Sequence, residues 1–151
     1  MFITFAARQA VLRDCVPTIS LPFPNADVPW PLLSPQHDTG PYVLGLFAAG
    51  AAADGAHAHA VSAWTTPREL VAVLSKAAGR EVRFRCISAE EYQRTFEDEV
   101  VGVELMETMR WVGEWGYFGP GAEAGQGESD VWLLEGTEKM TLARWVAENG
   151  P

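Results

Sequence analysis

The sequence is short of positive charge, of cysteine and of long apolar runs. It also lacks the strand, glycine-rich turn and helix that seat a dinucleotide pyrophosphate. Each absence excludes something. Eleven Lys and Arg stand against twenty Asp and Glu, a formal charge of −9. Nucleic acids and anionic membranes are held by clustered Lys and Arg, and no such cluster occurs, so neither is an expected partner. Cys15 and Cys86 are the two cysteines, without CxxC spacing, which predicts reduced thiols in the cytoplasm rather than a disulfide framework. Arg8 and Arg13 interrupt the apolar start, so it does not read as a signal peptide. No apolar run approaches the roughly 20 residues of a membrane-spanning helix.

What is present fits one globular unit. A chain of 151 residues supports a single domain over 1–151, with residues 1–37 as an extended or edge segment packed on the rest. Apolar residues make up 48%, and six tryptophans and four methionines are many for this length. Such side chains suit a core, and equally a flat hydrophobic ligand.

The order of elements predicts a small α+β domain of short strands with about five helices. Phe2 to Leu12 carries apolar residues at helical spacing. Ile19 to Phe23 alternates like a strand that nearby prolines confine to an edge. Asp38 has the short acceptor of an N-cap, followed by Tyr42, Val43, Leu46 and Phe47 as one apolar stripe before Gly50. Ala58 to Ala63 reads as a strand. Thr66-Pro67-Arg68-Glu69 is a capping box with proline at the first helical position, and Gly79 fits the helix end. Glu81 to Ile87 alternates as a strand, and Ser88 caps a helix running through Phe96. A longer helix covers Val100 to Trp115, a glycine-rich loop covers Gly116 to Gly127, and Thr141 caps a last helix. Regular strand–helix alternation is missing, so a doubly wound sheet is not expected.

Local chemistry is sparse. His57-Ala58-His59 could share an ion from one strand face, but no third ligand is fixed by spacing, and solvent-facing histidines are the ordinary alternative; no metal is expected. His37 beside Asp38 is either a general base held by a carboxylate or a loop histidine packed at a helix start. No serine sits in a Gly-x-Ser-x-Gly setting. On the Val100–Trp115 helix, Glu104, Glu107, Arg110 and Glu114 share a polar stripe, while Leu105, Met109 and Val112 share another face. The pattern suits a plain amphipathic helix. It also suits a ligand wall, with Glu107 as acid or base where burial raises its pKa.

An ordered series of motifs carries a resemblance over most of the chain. It comprises Asp38-Thr39-Gly40 with Tyr42-Val43, Thr66-Pro67-Arg68-Glu69-Leu70, Arg83-Phe84, Ser88-Ala89-Glu90-Glu91-Tyr92, Glu104-Leu105-Met106-Glu107, Gly116-Tyr117-Phe118-Gly119 and Thr141-Leu142-Ala143-Arg144-Trp145-Val146. The sequence thereby resembles the NmrA-like family of atypical short-chain dehydrogenase/reductases, in its C-terminal, substrate-side part alone. The family's glycine-rich NAD(P) turn and Rossmann sheet have no counterpart, so the expectation is a domain acting without a cofactor and without hydride transfer. The resemblance implies that the Val100–Trp115 helix and the Gly-Tyr-Phe-Gly turn border a cleft.

Substrate-binding candidates are then Met106, Met109, Trp111, Trp115 and Phe118, with Phe2, Phe5 and Trp30 on the apolar face left by the missing domain. Glu107, His37 and Tyr117 are the catalytic candidates. Interfaces between domains of one chain bury about 600–1,500 Å², so a homodimer covering that face is expected. The expected activity is a cofactor-independent cyclase or isomerase acting on a flat hydrophobic secondary metabolite, such as a fungal aromatic polyketide. The alternative is a non-catalytic regulatory or protein-interaction module.

Overall fold

A computed structural model describes residues 10–13 and 16–150. Among these residues two small sheets and six α-helices are arranged around one core. The first sheet has the order β1 (Ala10–Arg13), β2 (Val16–Leu21), β5 (Arg83–Cys86). β1 runs antiparallel to β2, pairing Ala10 with Ile19, and β5 runs parallel to it, pairing Thr18 with Arg83. The second sheet is an antiparallel pair, β3 (Trp30–Leu32) and β4 (Ala63–Thr65), with Trp30 opposite Thr65.

Helices α1 (Pro35–Ala49), α2 (Pro67–Ala78), α3 (Ala89–Gln93), α4 (Glu99–Trp115), α5 (Gln126–Asp130) and α6 (Leu142–Asn149) surround the strands. The core takes Ile19 and Leu21 from β2, Leu70 and Leu74 from α2, Met109 and Val112 from α4, and Leu142 and Val146 from α6. Burying one such side chain contributes roughly 1.5–3 kcal/mol.

Local chemistry sets most helix ends as expected. Thr66 Oγ1 accepts the Glu69 N–H while the Glu69 carboxylate accepts the Thr66 N–H, and Gly79 closes α2 at φ 63°. Thr141 accepts from Arg144 at the start of α6, and Asp98, not anticipated as a cap, accepts two N–H bonds at the start of α4. Ser88 caps α3, which ends at Gln93 rather than Phe96.

Five expectations are corrected. Ala10–Arg13 is a strand, not part of a helix; the rest of the predicted N-terminal helix, with Phe2 and Phe5, lies outside the described residues. β2 is the central strand of its sheet, not an edge, because Pro17 falls near its start and leaves the remaining ladder intact. α1 begins at Pro35, whose fixed φ suits the first helical turn, so Asp38 lies inside the helix instead of capping it. Of the stripe expected on α1 only Tyr42 is buried; Val43 and Phe47 are 44% and 78% exposed.

The fifth concerns residues 58–61, which are not a strand. Side chains satisfy the His59 backbone instead: its N–H donates to Ser129 Oγ at 3.0 Å and its C=O accepts from Gln126 Nε2 at 3.0 Å. Both partners belong to α5, a helix not anticipated within or after the glycine-rich stretch.

Candidate functional site

The longest helix makes the wall of an open groove. Glu107, Trp111 and Trp115 recur every four residues on α4, so their side chains share one face. Trp111 and Trp115 are 59% and 53% exposed, with ring centroids 6.2 Å apart and planes tilted by 38°. Gly116 then ends the helix at φ 77°, and a Cβ there would lie 2.9 Å from the Gly119 carbonyl oxygen. Only glycine fits, and the tight turn brings Tyr117 and Phe118 back beside the helix. The resulting groove holds about 740 Å³ and is lined by Glu107, Thr108, Arg110, Trp111, Val112, Glu114, Trp115, Tyr117 and Phe118.

A second hollow of about 300 Å³ lies against the same aromatic wall. It shares Val112, Glu114, Trp115 and Tyr117, and extends to Pro24, Val28, Trp64, Pro120 and Glu123.

The turn is fixed from behind by rings and by a polar network. Phe118 stacks on His59, with centroids 4.0 Å apart and planes within 5°, and meets Trp64 edge-on at 6.3 Å. Tyr117 contacts Phe118 edge-on at 4.8 Å. Trp64 Nε1 donates to Gln126 Oε1 at 3.0 Å, and Gln126 Nε2 donates to Asp130 Oδ1 at 2.8 Å. Asp130 also accepts from Tyr42 Oη at 2.5 Å and pairs with Lys139 Nζ at 2.5 Å. Burial pushes Asp130 up, but Lys139, Tyr42 and Gln126 outweigh it and hold the carboxyl below its usual range. Burial, reinforced by Asp130, pushes the Tyr42 phenol well above its usual value, so it stays a hydrogen-bond donor.

A separate network centres on Asp38, which is fully buried. Its carboxylate accepts from Ser62 Oγ, and from the Met140 N–H at 3.1 and 3.2 Å. His37 Nδ1 lies 2.6 Å from Asp38 Oδ1. Ser62 Oγ in turn accepts the Ser34 N–H at 2.7 Å. The arrangement ties the start of α1 to the approach to β4 and to the approach to α6.

The candidates from the sequence divide accordingly. Glu107, Trp111, Trp115, Tyr117 and Phe118 come together in the groove. His37 is not among its lining residues and sits at the Asp38 network. Met106 is half-buried and packs on the core. Two candidates are corrected: Trp30 and Met109 have no exposed surface, because the β3–β4 pair and the inner face of α4 close over them. They are core, not ligand wall or apolar patch.

His59 was expected to face solvent, and its ring lies against Phe118 instead. Its partner Gln126, with Trp64 and Asp130, had no signal in the sequence, and Tyr42 was read only as part of an apolar stripe and a motif, since these residues meet across long separations. Among the described residues no three His, Cys, Asp or Glu side chains group to hold a metal ion. Cys86 is free and exposed. No helix among the described residues is long and apolar enough to cross a membrane.

Comparisons with known proteins bear on this architecture. A crystal structure of Nmra, a negative transcriptional regulator, in a monoclinic form matches with TM-score 0.70 at 22% identity, over 93% of this chain and 45% of that one. Nmra in complex with NAD matches with TM-score 0.67 at 16% identity, over 99% and 50%. Nmra in complex with NADP matches with TM-score 0.60 at 18% identity, over 95% and 48%. The chain therefore spans about half the length of the solved structures it matches, and at these identities the likeness is one of fold. No curated protein matches. A model of the NmrA-like family matches residues 2–146, nearly the whole sequence, and the chain belongs to the NmrA-like family.

Proposed function

We propose that this chain is the ligand-binding, non-catalytic part of an NmrA-like protein, and that its groove on α4 takes a flat hydrophobic molecule. The exposed aromatic wall of Trp111, Trp115 and Tyr117 carries this reading. Exposed aromatic rings grouped in one concavity bury large apolar area on binding and cost little conformational entropy to order. Burial is a common means of tuning a carboxylate for acid–base work near neutral pH, and Glu107, Arg110 and Glu114 all stand exposed at the groove.

A cofactor-free cyclase or isomerase is the second reading. Glu107 and Tyr117 line the same groove, so a proton donor and acceptor would flank one bound molecule. Wild type and Glu107→Gln separate the two: ligand binding without turnover in either supports the module, and turnover in wild type that Glu107→Gln abolishes with binding kept supports the enzyme.

The solved structures of Nmra include complexes with NAD and NADP. The residues described here do not form a seat for such a group. β3 passes to α1 through Leu33-Ser34, β4 to α2 through Thr66, and β5 to α3 through Ile87-Ser88. The glycine-rich stretch at 116–121 follows a helix rather than a strand.

The apolar residues left exposed on α1, Val43, Leu44 and Phe47, favour a homodimer closed over that helix. Light scattering after size-exclusion chromatography measures this directly, and a strict monomer across concentrations refutes it. For the groove, titration with 2-naphthol should quench tryptophan fluorescence saturably. Trp111→Ala with Trp115→Ala should abolish the saturable phase; an unchanged isotherm would remove the groove from the proposal.

A further inference from the structure

The groove carries an electrostatic preference as well as an apolar one. Across both hollows Arg110 is the only Lys or Arg among the described lining residues. Its Nε donates to Glu114 Oε1 at 3.1 Å, an i,i+4 pair whose charges offset each other. Glu107 also acts on Arg110 through its charge, so this one cation faces the two carboxylates Glu107 and Glu114, and Glu123 adds a further carboxylate in the smaller hollow. Asp27, at its far end, is held by Arg68. Beside the groove's carboxylates stand the indoles of Trp111 and Trp115, 6.2 Å apart. The rings stand too close for an organic cation to enter between them, but one resting over the solvent-exposed part of either indole would lie within the roughly 6 Å over which its electron-rich face attracts a cation.

We infer that the groove selects flat aromatic molecules carrying a fixed positive charge, such as quaternary or ring-protonated aromatic amines, over neutral and anionic ones of the same shape. This rests on the binding-module reading of the same groove. Three sources of selectivity act together. Glu107 and Glu123 repel an anion and attract a cation. The indole faces stabilise a weakly hydrated organic cation, which is cheap to desolvate. The protein's net charge of −9 raises the local concentration of cations before contact.

Inorganic cations gain little here, since exposed monodentate carboxylates offer no closed coordination shell. A compact ammonium lacks the flat surface that the aromatic wall covers. The ligand therefore needs both features, plane and charge.

The test compares three probes on one skeleton: naphthylmethyl-trimethylammonium, naphthylmethanol and naphthoate. Each is titrated into the protein and followed by tryptophan fluorescence and calorimetry at low salt. The ammonium should bind about tenfold more tightly than the alcohol, and naphthoate most weakly. Glu107→Gln should shrink the ratio of ammonium to alcohol affinity several-fold, because it removes the charge at nearly constant side-chain shape; an unchanged ratio would refute the charge preference. Circular dichroism before and after the substitution verifies that the variant is folded. If the alcohol binds as well as the ammonium, the charge preference is refuted while the binding-module reading stands. If none of the three binds, both fall.

Discussion

Replacing Asp38 by alanine tests whether a single buried carboxylate holds three remote parts of the chain together. The side chain is fully buried and accepts from Ser62 Oγ, from the Met140 N–H and from His37 Nδ1. His37 is 31% exposed and regains water when its partner is removed. The Ser62 hydroxyl and the Met140 amide are buried and do not. Each stranded buried donor costs about 1–3 kcal/mol. Two such donors, with the cavity left by the lost carboxylate, put the loss at about 3–5 kcal/mol. At roughly 2–4 °C per kcal/mol for a chain of this size, Tm should drop by about 6–20 °C. Urea unfolding followed by tryptophan fluorescence should show a lower midpoint with an unchanged slope. Asp38→Asn keeps the shape and one acceptor, but turns an NH2 group toward a donor, so it should fall between wild type and alanine. A loss below about 1 kcal/mol for the alanine variant would show that the contacts around Asp38 are incidental.

Two further outcomes follow from close packing and from titration. In Gly45→Ala the new Cβ would lie 1.9 Å from the Trp132 carbonyl oxygen and 2.9 Å from the Leu134 nitrogen, both backbone atoms. The variant should lose about 1–3 kcal/mol in thermal unfolding, whereas Gly40→Ala on the same helix, with nothing within 4 Å, should be neutral or slightly stabilising; equal effects would refute the close approach. The Tyr42–Asp130 pair predicts a stability plateau with two edges. Asp130 is depressed when folded, so its contribution is present above the usual aspartate range, near pH 4, and is lost as pH falls through the folded value. Tyr42 is raised when folded, so its contribution is full below the usual phenol value, near pH 10, and is lost as pH rises through the folded one. Asp130→Asn should flatten the acid edge and Tyr42→Phe the alkaline edge in urea unfolding at stepped pH, and curves parallel to wild type would refute the assignment.

What was legible in the sequence depended on how far apart the cooperating residues lie. The capping box at Thr66 and Glu69, the caps at Ser88 and Thr141 and the i,i+4 face of α4 work within one helical turn, and the structure reproduces them. The aromatic end of the groove was readable for the same reason, because Trp111, Trp115, Tyr117 and Phe118 are neighbours in sequence. Long-range partners were not readable. Val11 and Leu12 suit a helix or a strand equally, and pairing with β2 decides the matter. Trp30 and Met109 look like ligand-binding side chains by type alone; only the closure of β4 and the inner face of α4 makes them core. Residues 58–61 have strand-like composition, yet Gln126 and Ser129 capture the His59 backbone first. The start of α1 was misplaced because Asp38 is a good capping residue in isolation. Its true role needs Met140, 102 positions away.

The central position of β2 has a kinetic consequence. Its antiparallel partner β1 immediately precedes it, while its parallel partner β5 arrives only after β3, α1, β4 and α2 have been traversed. Hairpin pairing of adjacent strands takes about 1–10 μs in isolation. The parallel ladder must first meet the chain entropy of closing everything between Leu21 and Arg83, a cost repaid only once the intervening helices are in place. The β1–β2 ribbon can therefore form early as a template, with β5 added on its open side as a late, rate-determining event. Until that moment one edge of β2 presents unpaired amides and carbonyls, and the nascent chain is at its most vulnerable to pairing with a neighbour of its own kind.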